Sequence, residues 1–222
     1  KFNLTWVGRI AAFHEREQDS ELHMLDHRRD AFARLLRERL AAGEVDEILV
    51  VGHSYGAPLA IQIAARALDA ASTAKPRLSL LTLGQTIMWF AWLPKADDFR
   101  AEIAAVAESD DIDWIDVSAP PDAACFALVD PYTAIGDRRT DRKNPKLLNA
   151  KFHETIPPER IDKRTRNWME LHFQYIMATS KAGDYDYFAV TAGSETLADR
   201  FAHRPSVRDF TRFRSGAMKA LR

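Results

Sequence analysis

The fold of this chain is decided by one stretch of sequence, Ile48-Leu49-Val50-Val51-Gly52-His53-Ser54-Tyr55-Gly56. It opens on four apolar residues without interruption, which predicts a strand that is buried on both faces. Residues 57–68 follow it with the apolar content of a helix that packs on this strand. The Gly-x-Ser-x-Gly pattern therefore lies where a buried strand turns directly into a helix.

The Gly-x-Ser-x-Gly spacing has a steric cause. In so tight a turn Ser54 must take a strained backbone conformation, and its hydroxyl then stands clear of the sheet. We expect Gly52 and Gly56 to lie so close together that a side chain at either position would clash. The Tyr55 N–H and the beginning of the helix would point to the place where an oxyanion forms during acyl transfer. Ser54 is therefore a candidate nucleophile, and a glycine-rich turn with a serine cap is the alternative interpretation.

Strand, turn and helix together resemble the serine esterases and lipases of the α/β-hydrolase fold. The resemblance covers about residues 20–193. It implies a mostly parallel sheet flanked by helices, no cofactor, and the chain order serine, acid, histidine for the catalytic residues. Two features depart from the family. The sequence predicts fewer strands than the family's sheet contains, and residues 1–46 hold no recognisable oxyanion loop.

The rest of the chain fits one α/β domain over residues 1–222. The predicted strands lie at residues 48–51, 78–83, 112–117 and 185–191. Helical segments separate the first three strands, which is typical of a parallel sheet. The helix before the elbow begins at a Ser20 cap and ends at Gly43. Residues 131–166 are strongly polar, and we expect them to form a surface excursion.

Composition excludes several other classes of protein. The chain is 46% hydrophobic and 28% charged, which is typical of a globular domain with a sizeable core. A net charge of −1 gives no reason to expect a nucleic-acid partner. The single cysteine, Cys125, excludes an internal disulfide and favours a cytoplasmic location, with peripheral membrane attachment as the alternative. His23 and His27 share a helix face, but no third ligand is spaced to complete a metal site with them.

Three aspartates downstream of Ser54 compete for the role of the acid. Asp122 ends the turn 118–122, directly beyond a predicted strand, and this passage is similar to the strand-then-Pro-x-Asp passages of lipase-like hydrolases. Asp116 lies within the strand itself, and Asp130 precedes a proline further on. We predict that Asp122 is the acid, with a purely turn-capping aspartate as the alternative.

Three histidines compete for the role of the base. His172 begins a His-x-x-Tyr segment that looks like the one carrying the base in many lipases, and it precedes the predicted last strand. His203 follows that strand, as the common loop order would require, and His153 is the third candidate. We predict that His172 is the base. His53 adjoins the nucleophile, but the elbow should turn its side chain away from Ser54, so we expect it to have a supporting role.

The most aromatic part of the chain is residues 86–94, which follow a predicted strand end. Ligands of open α/β sheets bind at such strand ends. Trp89, Phe90 and Trp92 either pack as the core of a short helix or line an apolar acyl pocket or lid, and we predict a substrate pocket.

These expectations combine into a serine hydrolase that cleaves a carboxylic ester, either a small-molecule ester or a lipid, through an acyl-enzyme on Ser54. The alternatives are an inactive hydrolase-like binding or scaffold module, and an acyltransferase in which an alcohol replaces water. In this family the elbow strand lies inside the sheet, but only residues 2–7 precede it as a possible strand. We therefore expect further polypeptide, from upstream or from a partner chain, to pair beside residues 48–51 and supply the second oxyanion donor.

Overall fold

The computed structural model of the chain describes residues 9, 12–13, 16, 23–72, 74–136, 139, 141–162 and 167–207. The predicted cap at Ser20 and the apolar stretch 2–7 lie outside the described residues. Gly43 follows the first long helix with φ of +62°, as expected for a glycine that ends a helix.

The described strands form one parallel sheet. They are β1 (Glu47–His53), β2 (Arg77–Leu83), β3 (Ile112–Ser118) and β4 (Lys146–Asn149). Each strand pairs in parallel with the next one in the chain, so the strand order is β1-β2-β3-β4. The α/β class predicted from the sequence is confirmed.

Helices precede, connect and follow these strands. The described α-helices are α1 (His23–Ala42), α2 (Gly56–Ala65), α3 (Leu68–Ala71), α4 (Ile87–Ala91), α5 (Asp97–Glu108), α6 (Pro131–Ala134), α7 (Phe152–Thr155), α8 (Trp168–Phe173), α9 (Tyr187–Ala192) and α10 (Leu197–Arg200). Short 3₁₀ turns span Pro158–Arg160 and Gln174–Ile176. No described helix is long and apolar enough to cross a membrane.

Successive side chains of a strand point to opposite faces of the sheet. In β2 the side chains on both faces are buried. In β2, Leu78 and Leu80 contribute to a core shared with α1, α2 and α5. Leu81 and Leu83 contribute instead to a second core, which holds residues from 150 to 201. The earlier helices thus cover one face, and the C-terminal segment covers the other.

Two predictions of secondary structure are wrong. Residues 185–191 form no strand, because Asp186 caps α9 by accepting a hydrogen bond from the Ala189 N–H at 2.9 Å. The polar region 131–166 is not merely a surface excursion, because it contains β4. The two leucines of β4, Leu147 and Leu148, are buried, with 4% and 0% of their surface exposed.

Strand β1 lies at one edge of the sheet and pairs only with β2 among the described residues. Its apolar residues 48–51 are only partly buried. An apolar groove of about 440 Å³ runs along them between α1 and α2, and Phe32 and Ile63 are among the residues that line it. The polypeptide that we expect beside this strand stays a prediction.

Candidate active site

The turn after β1 holds Ser54 in a strained conformation. Its φ is +56°, a left-handed value that costs a residue with a side chain about 1–3 kcal/mol. The Ser54 N–H donates to the Leu83 carbonyl at 2.9 Å, and the Ala57 N–H donates to the Ser54 carbonyl at 3.1 Å. These bonds fasten the turn to the end of β2 and to the beginning of α2. The strained backbone expected at this position is therefore present.

The two glycines of the pattern are not equivalent. A Cβ at Gly52 would lie 2.5 Å from the Gly56 carbonyl oxygen and 2.7 Å from the Ala57 Cα, so no side chain fits there. A Cβ at Gly56 would meet nothing within 4 Å. The expectation of a clash at both glycines is therefore wrong for Gly56, because its missing side chain would point into open space.

Ser54, His172 and Asp122 form a continuous hydrogen-bonded chain. Ser54 Oγ lies 2.8 Å from His172 Nε2, and His172 Nδ1 lies 2.8 Å from Asp122 Oδ2. An ionised carboxylate can only accept, so Nδ1 carries the proton and Nε2 presents a lone pair to the serine hydroxyl. The side chains of His172 and Asp122 are only 2% and 0% exposed, which excludes water from their contact. This arrangement can take a proton from Ser54 Oγ.

The strand ends bring these residues together from distant parts of the chain. Ser54 directly follows β1, and Asp122 lies in the turn beyond β3. The carboxyl ends of parallel strands share one edge of the sheet, where ligands of such sheets bind. His172 comes from α8, whose N-terminus is capped by the Asn167 side chain through the Met169 N–H at 3.1 Å.

Asp122 also stabilises its own turn, as the alternative interpretation expected. Its second oxygen, Oδ1, accepts from the Ala124 N–H at 2.9 Å, and its N–H donates to the Ala119 carbonyl at 3.0 Å. One oxygen therefore fixes the loop while the other faces His172. Because both oxygens are hydrogen-bonded, the carboxylate has a defined orientation toward the imidazole.

Tyr175 is a residue whose role the sequence did not reveal, although its spacing from His172 was recognised. Its buried hydroxyl accepts from the Ala119 N–H at 2.9 Å and so ties the acid-bearing loop to the segment after α8. The ring passes over Gly84, where a Cβ would lie only 2.5 Å from Tyr175 Cε2. Glycine at this point of the chain leaves room for the tyrosine ring.

The competing acids have other partners. Asp116 is fully buried and accepts from Thr82 Oγ1 at 2.6 Å. Burial raises its pKa to about 7, although the hydrogen bond from Thr82 acts in the opposite direction. Asp130 caps α6 by accepting from the Tyr132 N–H at 3.1 Å. Neither carboxyl is joined to His172 by a described hydrogen bond.

The competing bases lie on the surface. His153 has a side chain that is 68% exposed, and its Nε2 lies 3.6 Å from Glu154. His203 is exposed in the loop after α10. Of the three candidate histidines, the structure brings only His172 to Ser54.

The predicted substrate-pocket residues divide into two groups. Phe90 is only 3% exposed and packs in the core, with its ring centroid 5.0 Å from that of Tyr55. Trp89 and Trp92 are 39% and 59% exposed, and both make edge contacts with the Phe126 ring. The packing of Phe90 fits the alternative of a core residue in a short helix, and a pocket formed by these three residues stays a prediction.

Tyr55 immediately precedes the first residue of α2, and its role as an oxyanion donor stays a prediction. Within the part of the chain that the structure describes, no group of three or more His, Cys, Asp or Glu residues could hold a metal ion. Comparison of the chain with protein-family models, curated proteins and solved structures finds no match in any of the three.

Proposed function

We propose that this chain is a serine hydrolase of the α/β-hydrolase class that cleaves a carboxylic ester through an acyl-enzyme. The single observation that carries the proposal is the hydrogen-bonded chain from Ser54 through the buried His172 to the buried Asp122. The strained turn after β1 and the order serine, acid, histidine support the same class. Catalytic triads of serine, histidine and carboxylate occur on unrelated folds, and they are identified by their geometry and not by sequence position.

In the proposed reaction His172 takes a proton from Ser54 and then gives it to the leaving group. Ser54 Oγ attacks the ester carbonyl while Nε2 takes its proton, and Asp122 stabilises the resulting imidazolium. The carbonyl oxygen becomes an oxyanion that accepts from the Tyr55 N–H. The imidazolium then protonates the departing alkoxide, which leaves an ester on Ser54. A water molecule repeats the sequence, with His172 again as the base, and releases the carboxylic acid and free Ser54.

The strain at Ser54 supports catalysis over the alternative of a binding or scaffold module. A left-handed conformation is easier for glycine than for any residue with a Cβ. A turn that served only the fold would gain nothing from a side chain at this point. The serine instead places its Oγ 2.8 Å from a histidine nitrogen, which is the contact that a nucleophile needs.

Labelling with a fluorophosphonate probe tests the proposal. We expect wild type to form a covalent adduct on the peptide that contains Ser54, whereas Ser54→Ala should form none and lose roughly 10⁴-fold or more in kcat on an activated ester. Ser72→Ala, at an exposed serine that bonds the Asp69 carbonyl, is the matched control and should label like wild type. A folded wild type that neither labels nor hydrolyses activated esters would refute the proposal.

Analysis of the products formed from an ester substrate separates hydrolase from transferase. With increasing concentrations of a simple alcohol, a hydrolase should continue to release mainly the carboxylic acid. A product that is mainly the new ester, at alcohol concentrations far below that of water, would assign the acyltransferase alternative instead.

A further inference from the structure

We propose that His53 is a positioning residue that holds His172 in register with the nucleophile. This inference rests on the proposed function, because it assigns a role within the same site. It follows from a hydrogen bond between the side chain of His53 and the backbone of His172.

His53 is the last residue of β1 and directly precedes Ser54. Its Nε2 lies 2.8 Å from the carbonyl oxygen of His172. The two imidazole rings also contact each other, with centroids 4.9 Å apart. A carbonyl oxygen can only accept, so Nε2 of His53 carries the proton.

Two hydrogen bonds thus join α8 to the turn that holds the nucleophile. Ser54 contacts His172 through the side chains, while the adjacent His53 contacts the His172 backbone. The carbonyl belongs to the last turn of α8. The carbonyls of a last turn have no N–H within the helix to accept from. His53 supplies a donor there. Both hydrogen bonds start from neighbouring residues of one turn, so a shift of α8 relative to this turn would break at least one of them.

The protonation state of His53 suits this role. Burial lowers its pKa, and the nearby His172 acts in the same direction, while the bond to the His172 carbonyl and the carboxylate of Asp122 act against them. The ring of Tyr175 also lies next to His53, and burial raises the pKa of Tyr175 well above its usual range, so its phenol stays neutral. At neutral pH His53 is therefore an uncharged donor. A neutral neighbour does not repel the imidazolium that forms on His172 when Ser54 is deprotonated.

Two substitutions of similar size separate positioning from packing. His53→Leu fills much of the ring's space but has no donor, whereas His53→Gln keeps an N–H that reaches the region of Nε2. We expect His53→Leu to lower kcat roughly 10- to 100-fold with little change in KM, because small misplacements of a catalytic group cost rates of this order. His53→Gln should recover most of the lost kcat. Melting temperatures of both variants should fall together, since both lose the ring contacts.

The controls distinguish failure of this inference from failure of the proposed function. Wild type must label with the fluorophosphonate and Ser54→Ala must not; a wild type that fails to label overturns the function and the positioning role together. With labelling established, equal kcat losses in His53→Leu and His53→Gln, or a kcat within about twofold of wild type in His53→Leu, would overturn the role of His53 alone.

A spectroscopic measurement on the unmodified protein needs no variant to fold. Nitrogen-15 NMR of the imidazoles at neutral pH should show His53 as the Nε2–H tautomer with a hydrogen-bonded proton, and His172 as the Nδ1–H tautomer. A His53 ring that is protonated on Nδ1 alone would contradict the bond to the His172 carbonyl and refute the inference.

Discussion

Replacing Asp116 with asparagine should make the free energy of unfolding less dependent on pH. Asp116 is fully buried, and its described partners are the hydroxyls of Thr82 and Ser118, at 2.6 and 3.5 Å. Burial raises the pKa of this carboxyl from 3.8 to about 7. Asparagine has the same shape and can accept from Thr82, but it never ionises.

The magnitude of the effect follows from this difference in pKa. The folded protein binds the proton of Asp116 more tightly than the unfolded chain, so this residue stabilises the fold below about pH 4. That contribution is lost as the pH rises through about 7. At about 1.4 kcal/mol per pKa unit, ionisation lowers the free energy of unfolding by up to about 4 kcal/mol. About 3 kcal/mol of this loss falls between pH 5 and pH 8.

Urea unfolding, followed by tryptophan fluorescence at several pH values, measures the difference in the free energy of unfolding between Asp116→Asn and wild type. The difference should move in favour of Asp116→Asn by about 3 kcal/mol from pH 5 to pH 8. Asp110→Asn, at an exposed position before β3, is the control whose difference from wild type should stay constant. A pH-independent difference for Asp116→Asn would refute the argument that this carboxyl is desolvated.

Two further predictions concern the proposed site. Asp122→Asn should keep the fold but lower kcat by roughly 10⁴-fold, because an amide in place of the carboxylate favours the wrong tautomer of His172, whereas Asp116→Asn should retain activity; comparable kcat losses in the two variants would show that the acid is wrongly assigned. If Trp89 and Trp92 flank the acyl group, kcat/KM should rise along an acyl series by up to about 0.8 kcal/mol per methylene, and Trp92→Ala should flatten the rise. A flat series in wild type would reject an acyl-binding role for these tryptophans.

The sequence predicted the parts of the fold that depend on local patterns. The strand 78–83 is recognisable from its leucines, and the strand 112–117 from the alternation of its apolar residues with aspartates. Strand β4 was missed, since it is four residues long and begins within a polar region. Its place beside β3 depends on a distant contact. The Asn144 side chain accepts from the Trp114 N–H at 2.9 Å and donates to the Ile112 carbonyl at 2.9 Å.

The choice of His172 as the proposed base rests partly on an expectation of secondary structure that is wrong. His172 was favoured partly because it preceded a strand expected at 185–191, but that segment is helical. The sequence 185–191 looks like a strand ended by Gly193, but Asp186 caps the N-terminus of a helix there. In the fold itself His172 follows the last described strand, β4. The order strand, then histidine, which had favoured His203, is thus met by His172.

The two buried aspartates near the end of β3 differ in their contacts, and these contacts decide which of them suits the proposed role of the acid. Asp116 faces hydroxyl groups inside the sheet, and nothing in its described contacts could exchange a proton with a substrate. Asp122 lies six residues further on, beyond the strand end, where the chain is free to turn and one carboxylate oxygen can reach His172. A buried carboxylate stabilises a neighbouring imidazole most strongly when charge forms on the ring, as in the proposed transfer of a proton from Ser54. The position of Asp122 therefore suits the proposed catalytic role and the position of Asp116 does not, although both side chains are almost fully buried.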